Sequence, residues 1–150
     1  MPKDSRKAAN PPKVSAEEMN QFFRAHFKGD RGLLPDITHA EADYVVMNAV
    51  MGEQNMRPGN MVSGPTQMAL ADHIAYAVIF TRIGITPMAV TSNLNIDFLR
   101  PCMGQSVRIE GRMIKLGRSL AVISTEVYGN ENEKIASRAT VTYALPQKAG

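Results

Sequence analysis

Asp72 interrupts an otherwise apolar run from Met68 to Phe80. Burying an ionised carboxyl there is costly unless chemistry requires it. Nine residues upstream, Ser63-Gly64-Pro65 has the composition of a helix start, with Ser63 as cap, Gly64 leaving its N–H uncrowded and Pro65 tolerated in the first turn. One helix would then carry unpaired N–H groups with a partial positive charge at its tip, and a carboxylate two turns further on. Such a pair suits hydrolysis of an acyl compound: the Gly64 N–H receives the oxyanion, and Asp72 serves as general base or nucleophile. At ~1.5 Å rise per residue the two groups lie about 12 Å apart, too far to act on one carbonyl. If both act on one substrate, Gly64 of one chain must face Asp72 of another across a two-fold axis, which predicts a homodimer with two equivalent sites.

Other reactive side chains carry less. His73 adjoins the acid, but neighbouring helix positions point about 100° apart, so it is expected to pack or to meet a second subunit. Cys102 follows Pro101 with no His or Asp beside it, and a nucleophilic role is not assigned to it. The methionines, including Met47, Met51, Met56, Met61 and Met68, are expected as adaptable core packing. His26, His39 and His73 fit no metal-ligand spacing, so no metal is expected. Arg100, Lys115 and Arg118 fall near strand ends and turns, where they could receive a phosphorylated small molecule.

The chain has 150 residues, 44% of them apolar, enough for one domain with a real core. A formal charge of +3 is scattered over the chain, which argues against nucleic acid. The lone cysteine excludes a disulfide framework, and the charged start and interrupted apolar runs lead to an expectation of a soluble, cytoplasmic protein with no membrane association. Residues 1–14 are expected to be a flexible tail and 15–150 a single domain. Ser15 to Glu18 forms a capping box for a helix carrying Met19, Phe22, Phe23 and Phe27, closed by Gly29. Ile37 to Met51 predicts one long or two short strands, and Gly52 to Val62 a loop.

After the helix ending near Gly84, four extended runs follow: Met88 to Leu99, Ser106 to Leu116, Arg118 to Tyr128 and Lys134 to Leu145. Turn residues between them, including Leu116-Gly117 and the segment from Gly129, predict consecutive hairpins in an antiparallel sheet. The first run alternates, with Val90, Leu94, Ile96 and Phe98 in one parity and Thr91, Asn93, Asn95 and Asp97 in the other. The long helix is apolar almost all round, so the sheet must curl about it, giving an α+β fold.

This order of elements resembles the hotdog fold. Ser63-Gly64-Pro65 with Leu70-Ala71-Asp72 is similar to the His-Gly-Gly to Leu-Ala-Asp signature of the phenylacetate-pathway type of acyl-CoA thioesterase, with the same glycine-to-acid spacing. Thr91 to Pro101 resembles the strand that follows, and Lys115 to Arg118 the next hairpin, so that the resemblance spans roughly residues 30 to 146. Ser63 stands where the family has histidine, and the upstream polar position falls at Arg57, with Asn55 and Asn60 nearby. The resemblance implies hydrolysis of an acyl-CoA thioester by Asp72 and Gly64, with Ser63, Thr91 and Asn60 as further site residues. It also implies coenzyme A as part of the substrate rather than a cofactor, with Arg100, Lys115 and Arg118 on its phosphates, and dimers that often pair into tetramers. Two other functions occur on this fold: a non-catalytic acyl-CoA sensor, and an enoyl-thioester hydratase, which needs a spaced Asp and His pair that His73 does not provide.

Overall fold

The computed structural model describes residues 10–27, 34–130 and 133–147. The first helix, α1 (Ala16–His26), starts where local chemistry predicts: the Glu18 N–H donates to Ser15 Oγ at 3.1 Å and the Ser15 N–H to Glu18 Oε1 at 2.9 Å. Met19 and Phe23 are its buried side chains. The proposed stop at Gly29 lies outside the described residues. Of the segment expected to be a tail, residues 1–9 also lie outside them, but residues 10–14 are held against the body. The Lys13 N–H donates to the Thr81 carbonyl at 2.9 Å, the Ala42 N–H to the Asn10 carbonyl at 3.0 Å, and Val14 is buried.

The stretch after Pro35 is two strands, β1 (Asp36–Glu41) and β2 (Tyr44–Val50), joined by a tight turn in which Asp43 has φ 74°. The loop from Gly52 contains a short 3-10 turn and a miniature hairpin of β3 (Met56–Arg57) and β4 (Met61–Val62). It delivers the chain to α2 (Gly64–Ile83), capped by Ser63. Four strands follow: β5 (Val90–Phe98), β6 (Ser106–Leu116), β7 (Leu120–Gly129) and β8 (Ser137–Ala144).

The main sheet is antiparallel in the order β1-β2-β6-β7-β8-β5. The expectation of consecutive hairpins therefore fails at its first step, since β5 pairs with β8 and leaves its other edge open. The linker between β5 and β6 does not turn back because its backbone is claimed elsewhere. The N–H groups of Leu99 and Arg100 donate to the Ala136 carbonyl, and the Cys102 carbonyl accepts from Val62. Residues Thr38, Ser92 and Ile114 are left unmatched in their ladders, and such bulges bend and twist strands, here around α2.

The helix and the concave sheet face share one core. Leu70, Ile74, Val78 and Phe80 on α2 are fully buried, as are Met47, Ile109, Ile123 and Val141 from the sheet. Each such apolar side chain contributes about 1.5–3 kcal/mol when withdrawn from water. Contact is closest at Gly111 on β6, where an added Cβ would lie 3.0 Å from a Val78 methyl and 3.2 Å from Ile74. The result is the enwrapped-helix α+β architecture that the apolar helix predicted, and it is the hotdog fold that the resemblance implied.

Candidate active site

Asp72 lies two turns into α2, partly buried, with Oδ1 facing β5 and β8. The Thr91 hydroxyl donates to Oδ1 at 2.6 Å, and the Tyr143 hydroxyl lies 3.1 Å from Oδ1 and 3.1 Å from the backbone carbonyl of Asp72 itself. The group opens on a cavity of about 410 Å³ whose other lining includes Phe27, Pro35, Leu70, His73 and Tyr76. An acid set beside two hydroxyls at the mouth of a recess with apolar walls at Phe27, Leu70 and Val90 can handle a proton or attack a carbonyl while those walls receive a hydrocarbon tail.

Thr91 reaches Asp72 against its sequence parity. Simple alternation groups it with Asn93, Asn95 and Asp97, but the extra residue Ser92 shifts the register. Thr91 therefore stands opposite Tyr143 as Leu94 stands opposite Val141, and directly opposed residues share a sheet face. Tyr143 was not anticipated. The available signal was a phenol on the inward parity of β8, alongside Ala139 and Val141, because a buried Tyr hydroxyl nearly always has a partner. Burial, then the neighbouring Asp72 carboxylate, push its phenol upward, so it stays protonated and remains a donor.

Gly64 opens α2 at a second, separate cavity of about 440 Å³, shared with Arg57, Gln67, Phe98, Arg100 and Cys102. The Phe98 ring stands over it, 3.4 Å from where a Cβ would be. Ser63 is a cap: its Oγ accepts from the Thr66 N–H at 3.3 Å and donates to Thr66 Oγ1 at 2.9 Å. Gln67, also unforeseen, is buried here with Nε2 donating to the Val62 carbonyl at 3.2 Å.

The remaining candidates scatter. Asn60 sits in the β3–β4 turn at φ 59°, its carbonyl accepting from the Gly104 N–H, and lines neither cavity. Asn55 is buried and spends its side-chain oxygen on the Gly52 N–H at 2.8 Å. Among the three cations, Arg100 lines the Gly64 cavity and donates to the Ile135 carbonyl, whereas Arg118 lines a different groove beside Leu116 and Leu145, and Lys115 lines none of these.

His73 packs against Phe23 and Phe27, with ring centroids 4.4 and 5.4 Å away, and burial lowers it to about 4 despite the adjoining Asp72. It is a neutral, packed histidine. Cys102 is buried and its thiol is pushed up to about 11, so it is not a thiolate near neutrality. Met47 and Met51 are core, while Met61 borders the Gly64 cavity. Among the described residues no group of three His, Cys, Asp or Glu side chains could hold a metal ion, and no helix is long and apolar enough to cross a membrane.

A capped helix carrying an acid, wrapped by an antiparallel sheet, defines a fold whose relatives can be named. Residues 59–136 match the family described as the thioesterase superfamily, and the chain belongs to it. A proposed esterase of Thermoplasma volcanium is 33% identical over 90 residues, covering 60% of this chain and 66% of its own length, just under two thirds. A proposed thioesterase from Silicibacter sp. TM1040 superposes with a TM-score of 0.82 at 29% identity, covering 93% of this chain and 96% of that one. A Streptococcus mutans protein bound to acetyl-CoA shares the fold, with a TM-score of 0.66 at 21% identity over 77% of this chain and 91% of that one. Hydrolysis of a thioester or ester is the class of activity that this membership carries.

Proposed function

We propose that the protein hydrolyses an acyl-CoA thioester in a site built from two chains. The observation that carries this reading is the pinned carboxylate of Asp72 at an apolar recess, with the free helix tip at Gly64 in a second recess of the same chain. The open edge of β5 supplies the second chain. Thr91 adjoins Asp72 and Phe98 adjoins Gly64, seven positions apart on that strand. Antiparallel pairing of two β5 strands about a two-fold through Asn95, with Ser92 left unmatched here as it is against β8, sets Thr91 of one chain opposite Phe98 of the other and keeps inward residues opposite inward ones. Each helix tip then approaches its partner's acid. Val90 and Phe98 are exposed apolar side chains on this edge, as such pairing requires.

In this assembly the acyl group enters the recess of Phe27, Leu70 and Tyr76. Asp72 takes a proton from water as the water oxygen bonds to the thioester carbonyl carbon, and the oxyanion forms at the Gly64 N–H. Collapse breaks the C–S bond, and the departing thiolate recovers the proton. Direct attack by the same carboxylate, giving a mixed anhydride that water then opens, develops its charge at the same N–H. Arg100, with Arg57 beside it in the Gly64 cavity, suits the anionic end of coenzyme A better than Lys115 or Arg118 does. The acetyl-CoA held by the Streptococcus mutans relative supports this choice of thiol.

The test is release of free thiol from a panel of acyl-CoAs by native protein, Asp72→Asn and Asp72→Ala. Thiol release that falls at least 100-fold in both variants is expected. Tight binding without thiol release by native protein would replace the hydrolase by a sensor, and full turnover by Asp72→Asn would remove the acid from the mechanism.

A further inference from the structure

Tyr143 carries an inference that rests on the hydrolase reading and goes further, to the two oxygens of one carboxylate. Both recorded hydrogen bonds to the Asp72 side chain end on the same atom, Oδ1, one from β5 through Thr91 and one from β8 through Tyr143. A surface acid meets exchangeable water on both oxygens. Here the two contacts to Oδ1 come from side chains fixed in the sheet. Tyr143 is 4% exposed, and its ring lies nearly parallel to Tyr76, with centroids 5.8 Å and planes 20° apart. The Tyr76 hydroxyl is occupied by the Pro87 carbonyl at 3.0 Å, so Tyr143 is the phenol that serves the acid.

The Tyr143 hydroxyl also lies 3.1 Å from the Asp72 backbone carbonyl, so it ties the carboxylate to the helix that bears it. A single proton bridging those two acceptors opposes rotation of the side chain about its own bonds. We infer that Tyr143 is a positioning residue which, with Thr91, pins Oδ1 of Asp72 and so leaves Oδ2 as the atom that meets water or the thioester. The arrangement supplies orientation in advance: the reacting oxygen faces the recess before substrate arrives, and no reorganisation is needed during the reaction.

The residues that line the cavity with Asp72 include Thr91 from β5, Tyr143 from β8, His73 and Tyr76 from α2, and Phe27 at the end of α1. His73 is already neutral at ordinary pH, and Tyr76 is occupied elsewhere. Removing the Tyr143 hydroxyl therefore removes its contacts to Oδ1 and to the Asp72 backbone carbonyl while the rings of His73 and Tyr76 keep their places.

Three variants test the assignment against acyl-CoA turnover: Tyr143→Phe, Thr91→Val and Thr91→Ser. Tyr143→Phe is expected to lower kcat about 10-fold to 100-fold, the effect of one hydrogen bond to a charged group, with KM within about threefold of native. Thr91→Ser retains turnover and Thr91→Val loses it. Because both hydroxyls act on one oxygen, Tyr143→Phe combined with Thr91→Val costs less than the product of the single losses. Native kcat in Tyr143→Phe beside a dead Asp72→Asn overturns the inference and leaves the hydrolase reading standing, whereas full activity in Asp72→Asn ends that reading.

Discussion

The role proposed for Gly64 is that of a backbone N–H, so it is tested by removing a proton from the main chain. Proline at the first helical position needs no N–H, and Ser63 before it already has the extended ψ of 155° that a residue preceding proline prefers. Gly64→Pro is expected to lose the oxyanion donor, with kcat about 100-fold to 1000-fold lower by steady-state thiol release, and far-UV circular dichroism checks that the chain still folds with Pro65 next to it and the Phe98 ring 3.4 Å from the Cβ position. His73 gives a prediction about stability. Burial holds it at about 4 against an ordinary 6.5, so between those values the unfolded chain binds a proton that the folded chain refuses. Stability from this source is complete above about pH 6.5 and is lost as pH falls toward 4, amounting to roughly 3 kcal/mol. Urea midpoints measured across this range should flatten in His73→Phe, which keeps the ring contacts with Phe23 and Phe27 and has nothing to protonate.

At the scale of elements, Gly111 lets β6 lie directly on α2. Gly111→Ala drives a methyl against Val78 and Ile74 and should cost about 1–3 kcal/mol in urea unfolding. Ser92 makes the opposite prediction. It is the residue that the β5–β8 ladder leaves unmatched, so deleting it closes the bulge with Thr91 still opposite Tyr143. The deletion should keep turnover within about tenfold of native, measured by the same assay. Both helices were legible in the residues because caps are local: Ser15 with Glu18, and Ser63 with Pro65, mark their starts within a turn. The strand partner of β5 was not legible, because β8 lies far along the chain and the linker that prevents a hairpin is held by Ala136 and Val62. The acid and the helix tip could be read because a single helix bears both. Tyr143 could not, since its contact with Asp72 spans 71 positions, and Thr91 was assigned to the wrong face because alternation cannot reveal a bulge.

For the whole molecule, the decisive property is that one chain presents Asp72 and the Gly64 helix tip in separate recesses. Mixing the inactive variants Asp72→Asn and Gly64→Pro tests this directly. If sites form between chains, a mixed dimer has one intact site, in which the tip of the Asp72→Asn chain meets the acid of the Gly64→Pro chain. Random exchange makes half the dimers mixed, so activity should recover to about one quarter of native. No recovery after exchange confirmed by native mass spectrometry would place both groups of each site in one chain.

The spacing of Gly64 and Asp72 along one helix also bears on how the activity responds to abundance. If each site forms between two chains as proposed, then at scarce copy number the concentration of paired chains grows as the square of the concentration of single ones. Doubling synthesis would then quadruple flux until nearly every chain has found a mate. A cell could silence the reaction by modestly lowering expression, with no inhibitor at all.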